Sequence, residues 1–511
     1  MRVRVVGAGV MGRGIAQWAA TAGHTVELAD ARPAAVGEAV EFTRSMLGRT
    51  VERGRLSAEQ GAAAGALLVP LDSPWEPGPE VDLVVEAARE DLATKVEVFT
   101  RLAEVLPAHT VFTSNTSSIP ITRIAASLAD PSRLAGLHFF NPVPLMRLVE
   151  VVPGARTRPE IPGLLAEFVR GCGHRPVVVA DTPGFLVNHA GRGLVTEALA
   201  LVEEATAGVP TLDAIARDVL GLRMGPFELM DLTGLDVTDA VIDSVWQGFR
   251  CSDRLRPSFL TPNRVAAGLH GRKTGEGFYS YGDPGPSRAA EPPVVGDRGR
   301  VFRVAGSGVD ATALRNRLVA VGGRFVDNPA VAAEGTPVLV PTWGTTVAAL
   351  VAEHRLPPAG TVGVDPLSLA PGSGRIVLAA TPAVDGTVVA DARAVLAGPG
   401  GDPEERVVSV VRDTAGSVAQ RLVASIVGVA ASIAERDLAS PEDVDLAVSL
   451  ALGYPHGPLS WGDRIGARRL LALQTALFVT TGDPRYRPTR WVTERAQLGL
   501  PLTTPASGHH D

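Results

Sequence analysis

The chain has 511 residues, 45% hydrophobic and 20% charged, with a formal net charge of -7. That length exceeds one hydrophobic core and predicts two to four domains, while two cysteines, Cys172 and Cys251, exclude a disulfide framework and read as small buried hydrophobes. The negative charge without a basic block argues against nucleic acid, and short apolar runs such as Leu67 to Leu71 and Val177 to Ala180, with no leader-like start, predict a cytoplasmic protein without a membrane span.

The first elements read strand, turn, helix, strand: Val3 to Val6, then Gly7-Ala8-Gly9-Val10-Met11-Gly12, a helical stretch, and Thr25 to Ala29 ending at Asp30. A Gly-x-Gly-x-x-Gly turn alone also serves ordinary strand-to-helix packing. Here it follows a strand, opens a helix and is answered by a carboxylate at the end of the next strand, the dinucleotide-binding arrangement. Asp30 can accept the ribose hydroxyls and would repel a 2'-phosphate, which favours NAD over NADP, although Arg32 stands nearby. Gly7, Gly9, Val10, Met11, Gly12 and Asp30 are thus cofactor-binding candidates.

Strands at Val81 to Val85, Thr110 to Thr113 and Leu134 to Leu137 continue a doubly wound parallel sheet. His138 falls at the C-terminal end of one of them, the edge where open α/β sheets bind ligands. Glu150, an acid inside the apolar run Leu148 to Val152, needs a partner if buried, and pairing with His138 would orient the imidazole; a lone strand-end histidine also has an ordinary structural explanation. Only two of the 48 basic residues are lysine, Lys95 and Lys273, which is read either as a need for a compact ammonium at these points or as chance survival.

From Gly184 amphipathic helices are expected at Val187 to Ala205, Leu212 to Leu220 and Val237 to Trp246, and Asp283 to Arg298 reads as a linker. The organisation then returns: Val301 to Val304, Gly306-Ser307-Gly308 and Arg324 to Asp327 repeat the opening, and later strands are expected at Pro337 to Val340, Thr361 to Val364 and Arg375 to Ala379. Leu220 to Phe227 is echoed by Leu452 to Leu459. The expected plan is a Rossmann domain over 1–183, a helical domain over 184–282, a linker over 283–299, a degenerate Rossmann-like domain over 300–410, a second helical domain over 411–502 and a disordered tail over 503–511, in all a tandem duplication. Asp310 sits where the second turn would receive a pyrophosphate, so the second copy is not expected to bind one.

The turn Gly7 to Gly12, Ser114-Asn115-Thr116-Ser117-Ser118, His138-Phe139-Phe140-Asn141-Pro142 through Glu150, Asp181 to Asn188, Met224-Gly225-Pro226-Phe227 and Lys273 to Tyr279 together resemble the L-3-hydroxyacyl-CoA dehydrogenase family, in order from residue 1 to about 281. The resemblance implies NAD as cofactor, a 3-hydroxyacyl-CoA as substrate, His138 as base, Glu150 as its orienting acid, Ser117 as hydrogen-bond donor to the 3-oxygen and Asn188 as a substrate contact. It implies Glu90 and Lys95 near the nicotinamide ribose; Asn115 and Asn141 complete the cofactor-binding set, and Ser45, Arg49 and Arg53 are coenzyme A candidates by rough match. Ser117 and Asn188 could equally be helix caps, and Lys95 could lie on a solvated helix face. His189 departs from the family, where an arginine commonly follows the asparagine.

Aligning Thr381-Pro382 with Asn141-Pro142 puts Leu378 at the place of His138, so one active site per chain is expected. The two-copy form is similar to bacterial 3-hydroxybutyryl-CoA and 3-hydroxyadipyl-CoA dehydrogenases of aromatic-acid catabolism, and the second helical domain is expected either to act as an internal partner for the first or to leave room for a homodimer. A strand starting at residue 3 is expected to leave no room for a preceding hydratase domain. A non-catalytic nucleotide-binding sensor, or a dehydrogenase of a hydroxy acid without coenzyme A, remains an alternative on the same scaffold.

Overall fold

The computed structural model describes residues 1–282, 291–328, 330, 333–401 and 403–506. They form two compact units, Met1–His189 with Arg436–Leu452, and Ala190–Glu435 with the chain from Gly453 onward.

The first unit runs β1 (Arg2–Val6), α1 (Val10–Thr21), β2 (Thr25–Ala29), α2 (Pro33–Glu52), α3 (Ala58–Ala66), β3 (Leu68–Pro70), β4 (Leu83–Glu86), α4 (Leu92–Val105), β5 (Val111–Ser114), α5 (Ile121–Ala125), β6 (Leu134–Phe139), β7 (Leu148–Pro153), α6 (Glu160–Gly171) and β8 (Arg175–Val178). Its inner strands are short, largely valine- and leucine-rich runs buried on both faces, as strands between two helix layers must be, while the edge strands β3 and β8 are partly exposed. Helix starts are set locally: Ser57 and Gln60 form a capping box on α3, and Asp91 caps α4 through the Thr94 amide. The sheet order is β3-β2-β1-β4-β5-β6-β7-β8.

The expectation of an all-parallel sheet fails at β7, which runs antiparallel to β6. Only Phe140 to Arg147 joins the two strands, too little for the crossover of a dozen or more residues that parallel pairing needs, so the chain reverses. The reversal puts Glu150 directly opposite His138 in the ladder.

Helix α7 (Val187–Glu203) leads into the second unit, followed by α8 (Val209–Asp218), α9 (Pro226–Thr233), α10 (Leu235–Gly248) and α11 (Leu260–Ala266). Then come β9 (Phe302–Val304), α12 (Gly308–Ala320), β10 (Phe325–Val326), β11 (Val338–Pro341), α13 (Val347–His354), β12 (Thr361–Val364), β13 (Arg375–Ala380), α14 (Gly386–Ala397) and β14 (Val407–Arg412). They form a second sheet, ordered β10-β9-β11-β12-β13-β14, parallel except between β12 and β13. Helices α15 (Ser417–Glu435), α16 (Pro441–Leu452), α17 (Pro458–Ile465), α18 (Ala467–Thr481) and α19 (Arg490–Leu498) complete the chain, α16 lying in the first unit.

Four expectations need correction or restriction. Helix α15 is, among the described residues, long and apolar enough to cross a membrane, contrary to the reading that every apolar run is short, and it is buried along almost its whole length. Cys251 is exposed just past α10, where the chain turns through left-handed backbone, whereas Cys172 is half-buried and burial pushes its thiol up to about 12. The tail is ordered at its start, because Asp463 accepts from the Leu502 and Thr503 amides and Arg495 donates to the Thr504 carbonyl. Residues 507–511 of the expected tail, and 283–290 of the expected linker, lie outside the described residues.

Candidate active site

At the C-terminal edge of the first sheet the glycine turn is built from steric necessity. Gly7 has φ +110°, and a Cβ there would lie 2.5 Å from the Ala87 carbonyl oxygen; on Gly12 it would lie 1.7 Å from the Gly7 carbonyl oxygen. The first glycine thus makes the turn and the third lets α1 press against it, as a dinucleotide turn requires. No side chain caps α1, whose N-cap is Gly9, so its leading amides and the positive end of its dipole face outward beside Val10, which is 55% exposed. Met11 packs against the core below. Asp30 stands at the end of β2, one oxygen accepting from the Ala8 amide at 2.8 Å and the other from the Arg32 amide at 2.9 Å, which fixes its carboxylate at the rim of the turn. The residues present fit a pyrophosphate and its ribose.

Three strands along from β1, on β6, His138 is 5% exposed and its Nδ1 lies 2.5 Å from Glu150 Oε2. The second oxygen of Glu150, wholly buried, accepts from the Leu186 and Val187 amides at 3.0 and 2.8 Å, the start of α7. In the tautomer that donates Nδ1–H to Glu150, Nε2 is the acceptor of the ring. The rings of Phe140 and Phe185 lie against the imidazole, with centroids 4.6 and 5.7 Å away. Asn188 is half-buried in the first turn of α7, and the next residue, His189, is buried.

Ser117 lies in the loop between β5 and α5. It does not cap that helix: Asp181 does, accepting from the Ile121 and Thr122 amides at 2.8 and 2.7 Å. The Ser117 amide donates to Glu90 at 2.9 Å, and its hydroxyl lies 3.3 Å from the same oxygen. Burial pushes the Glu90 carboxyl up, but the Lys95 ammonium and hydrogen bonds from Thr116, Ser117 and Ser118 outweigh it and hold it at about 2. Lys95 is on no solvated face; it is 1% exposed and bonded to Glu86 at 2.8 Å. The other lysine, Lys273, is half-exposed and bonded to Asp236. Asn115 accepts from the Phe139 amide at 2.8 Å, tying β5 to β6 beside His138.

Arg49 and Arg53, with Arg13, Arg55 and Asn141, line a cavity of about 210 Å³ between α2 and the loop after β6. Ser45 is exposed on α2 and is not among its lining residues. Sequence reasoning missed Arg13, whose guanidinium lies 3.8 Å over the Phe42 ring, and Glu86; the latter carries the same signal as Glu150, an acid on an apolar strand.

Oxidising an alcohol by hydride transfer needs a seat for a nicotinamide nucleotide, a base beside it and a hydrogen-bond donor for the reacting oxygen. One sheet edge of the first unit holds residues of the kinds these tasks call for, the arrangement of an NAD-dependent alcohol-oxidising dehydrogenase, and the comparisons with known proteins give that class. The model of the 3-hydroxyacyl-CoA dehydrogenase NAD-binding domain matches residues 2–182, and that of the 3-hydroxyacyl-CoA dehydrogenase C-terminal domain matches twice, at 184–281 and 416–507. The 3-hydroxyadipyl-CoA dehydrogenase of Escherichia coli K12 is 36% identical over 97% of both chains. The mitochondrial hydroxyacyl-coenzyme A dehydrogenase of Sus scrofa is 40% identical over 55% of this chain and 90% of its own length. A crystal structure of a 3-hydroxybutyryl-CoA dehydrogenase from E. coli K12 has a TM-score of 0.83 at 35% identity, covering 98% of each chain. The chain belongs to the 3-hydroxyacyl-CoA dehydrogenase family, and is an NAD-dependent enzyme acting on 3-hydroxyacyl-CoA.

Proposed function

We propose that the chain oxidises a short (S)-3-hydroxyacyl-CoA, 3-hydroxybutyryl-CoA or 3-hydroxyadipyl-CoA, in the cytoplasm, with His138 as base. The observation that carries this reading is the buried His138–Glu150 pair at the edge that also holds the glycine turn. His138 Nε2 takes the proton of the 3-hydroxyl, Glu150 steadies the imidazolium that results, and the Ser117 hydroxyl donates to the oxygen as charge develops on it. NAD, when bound, accepts the hydride from C3. Asp30 would take the adenosine ribose, the α1 amides the pyrophosphate, and Glu90, Asn115 and Asn141 the nicotinamide side, with the buried Lys95 acting there only through Glu90, while Asn188 would hold the thioester end. Arg49, Arg53, Arg13 and Arg55 form a cationic wall suited to the phosphates of coenzyme A.

The thioester claim is tested by following NADH oxidation with acetoacetyl-CoA, with free acetoacetate and with NADPH. Turnover is expected with the thioester and NADH alone. Turnover of the free acid at a comparable rate, or a silent thioester in an enzyme that binds NADH, would overturn it.

The sequence reads as a tandem duplication with the boundaries given above, and the second sheet supports this reading while explaining why its copy is silent. In its pairing β13 runs antiparallel to β12 and parallel to β14, as β7 does with β6 and β8, so β12 and β13 stand where β6 and β7 do. Leu378 on β13 therefore does not stand where His138 does, a correction to the alignment, and β12, with the sequence Thr361-Val362-Gly363-Val364, carries no histidine. Where a pyrophosphate would sit, Arg315 bonds Asp327 at 2.6 Å and reaches the Gly306 carbonyl, and Asp310 pairs with Arg469. Gln420 of α15 plugs the same edge, bonding Thr342, Gly344 and Asp365 at 2.8 Å each. Calorimetric titration with NADH should accordingly give one site per chain; two sites of similar affinity would contradict the reading. In the same reading the helices after β14 serve α7–α11 as an internal partner.

A further inference from the structure

Glu86 takes no part in the chemistry above, yet it is wholly buried at the end of β4 and every acceptor position on it is used. One carboxylate oxygen accepts from the Ala88 amide at 2.7 Å and from Lys95 Nζ at 2.8 Å, the other from Lys95 Nζ at 3.0 Å and from the Ser114 hydroxyl at 2.6 Å. Its backbone carbonyl accepts from the Asn115 amide. Lys95 reaches on to Glu90 Oε2 at 3.3 Å. The other Glu90 oxygen gathers the Thr116 hydroxyl, the Ser117 and Ser118 amides and the Ser118 hydroxyl, all within 2.9 Å. On its other flank the Ala87–Ala88 segment, pinned by Glu86, is the surface against which Gly7 is packed.

An unbroken chain of contacts thus runs from the dinucleotide turn, through Ala87 and Ala88, to Glu86, Lys95 and Glu90, and so to the loop that presents Ser117. We propose that Glu86 is a positioning residue, which with Lys95 forms a buried brace that sets the distance between the dinucleotide turn and the Ser117 hydroxyl. The proposal rests on Ser117 holding the reacting oxygen. The physical reason is the ammonium: buried and flanked by two carboxylates, it cannot stay uncompensated. Without the charge of Glu86, Lys95 must be answered by Glu90 alone, and Glu90 can approach it only by leaving the serine-loop donors. Ser117 then shifts against the nicotinamide seat. The Ser117 hydroxyl makes the longest of the contacts on that Glu90 oxygen, so it can turn to a substrate while the Ser117 amide keeps the loop in place.

The test is a double-mutant cycle between Glu86→Gln and Ser117→Ala in the full-length enzyme, measured as kcat, kcat/KM for the thioester and the isotope effect with NADH deuterated at the transferred position. Misplacement by a fraction of an ångström predicts that Glu86→Gln lowers kcat about 10- to 100-fold with a full isotope effect. In the Ser117→Ala background the same change should cost less than about threefold, since the group it positions is gone. An equal factor in both backgrounds, as a merely structural role would give, or kcat within about twofold of the unaltered enzyme, overturns the brace. Should Ser117→Ala alone leave kcat intact, the reading of Ser117 fails and the brace falls with it, which separates the two failures. If Glu86→Gln does not fold, Glu86→Asp, which keeps the charge but draws the carboxylate, and Lys95 with it, back by one methylene, takes its place in the cycle, with a loss of kcat above about threefold expected in the Ser117 background and none in the Ser117→Ala background.

Discussion

Replacing His138 by alanine should lower turnover about 10²- to 10⁴-fold, roughly 3 to 5 kcal/mol of transition-state stabilisation, while NADH still binds. The two effects separate because the imidazole belongs to β6 and the β6–β7 ladder, whereas the nucleotide turn is built from β1, α1, β2 and the loop after β4. In the variant Glu150 keeps the Leu186 and Val187 amides, so α7 keeps its start and the loss falls on the proton transfer. Single-turnover kinetics with acetoacetyl-CoA, beside NADH titration by fluorescence, gives both numbers. A loss below about twofold would remove His138 from the mechanism, and a parallel loss of NADH binding would show that the residue supports the fold instead.

What the sequence made legible follows a physical pattern. The turn Gly7 to Gly12 and Asp30 were readable because a dinucleotide site is local: strand, turn, helix and strand are consecutive, and the steric demands on Gly7 and Gly12 act within that one motif. The His138–Glu150 pair was readable as a need for compensation, an acid in an apolar strand, but its geometry was not, since it depends on β7 reversing. Glu86 carried the same need and was passed over, as its partners Lys95 and Ser114 come from two other elements. Lys95 stands out in the sequence by its rarity, but its burial does not, because a helix position says nothing of which layer covers it until the sheet is assembled. Helices α9 and α11 are short and start at Pro226 and Leu260 without a long periodic stretch, so hydrophobic periodicity had little to work on. The ordered residues after Pro501 were invisible because a carboxylate 39 positions upstream, Asp463, holds them.

Replacing Arg421 by alanine should destabilise the second unit by about 3 to 5 kcal/mol, because it leaves a buried carboxylate without its counter-charge. Arg421 on α15 is 1% exposed and bonds Glu197 of α7, itself wholly buried, at 2.6 Å. The same guanidinium holds Glu204 and the Tyr486 hydroxyl, and Tyr486 in turn donates to Glu197 at 2.7 Å. Burial alone would lower the Arg421 pKa, but Glu197, Glu204 and Tyr486 raise it well above its ordinary value. The geometry that allows this is a close approach of helices: a Cβ on Gly193 would lie 2.8 Å from the Ile426 Cα, so α7 and α15 touch backbone to backbone one turn from the ion pair. Thermal unfolding should show the transition of the Arg421→Ala variant about 5 to 10 °C lower. Arg421→Met with Glu197→Gln, which removes both charges and keeps the volume, should recover most of that loss, since a buried ion pair contributes little over a well-packed neutral pair. If the single variant unfolds within about 2 °C of the unaltered chain, Glu197 is compensated by Arg485, which lies 3.5 Å from it, and the contact between α7 and α15 does not depend on Arg421. If instead the double variant is as unstable as the single, the loss comes from packing at the crossing and not from charge.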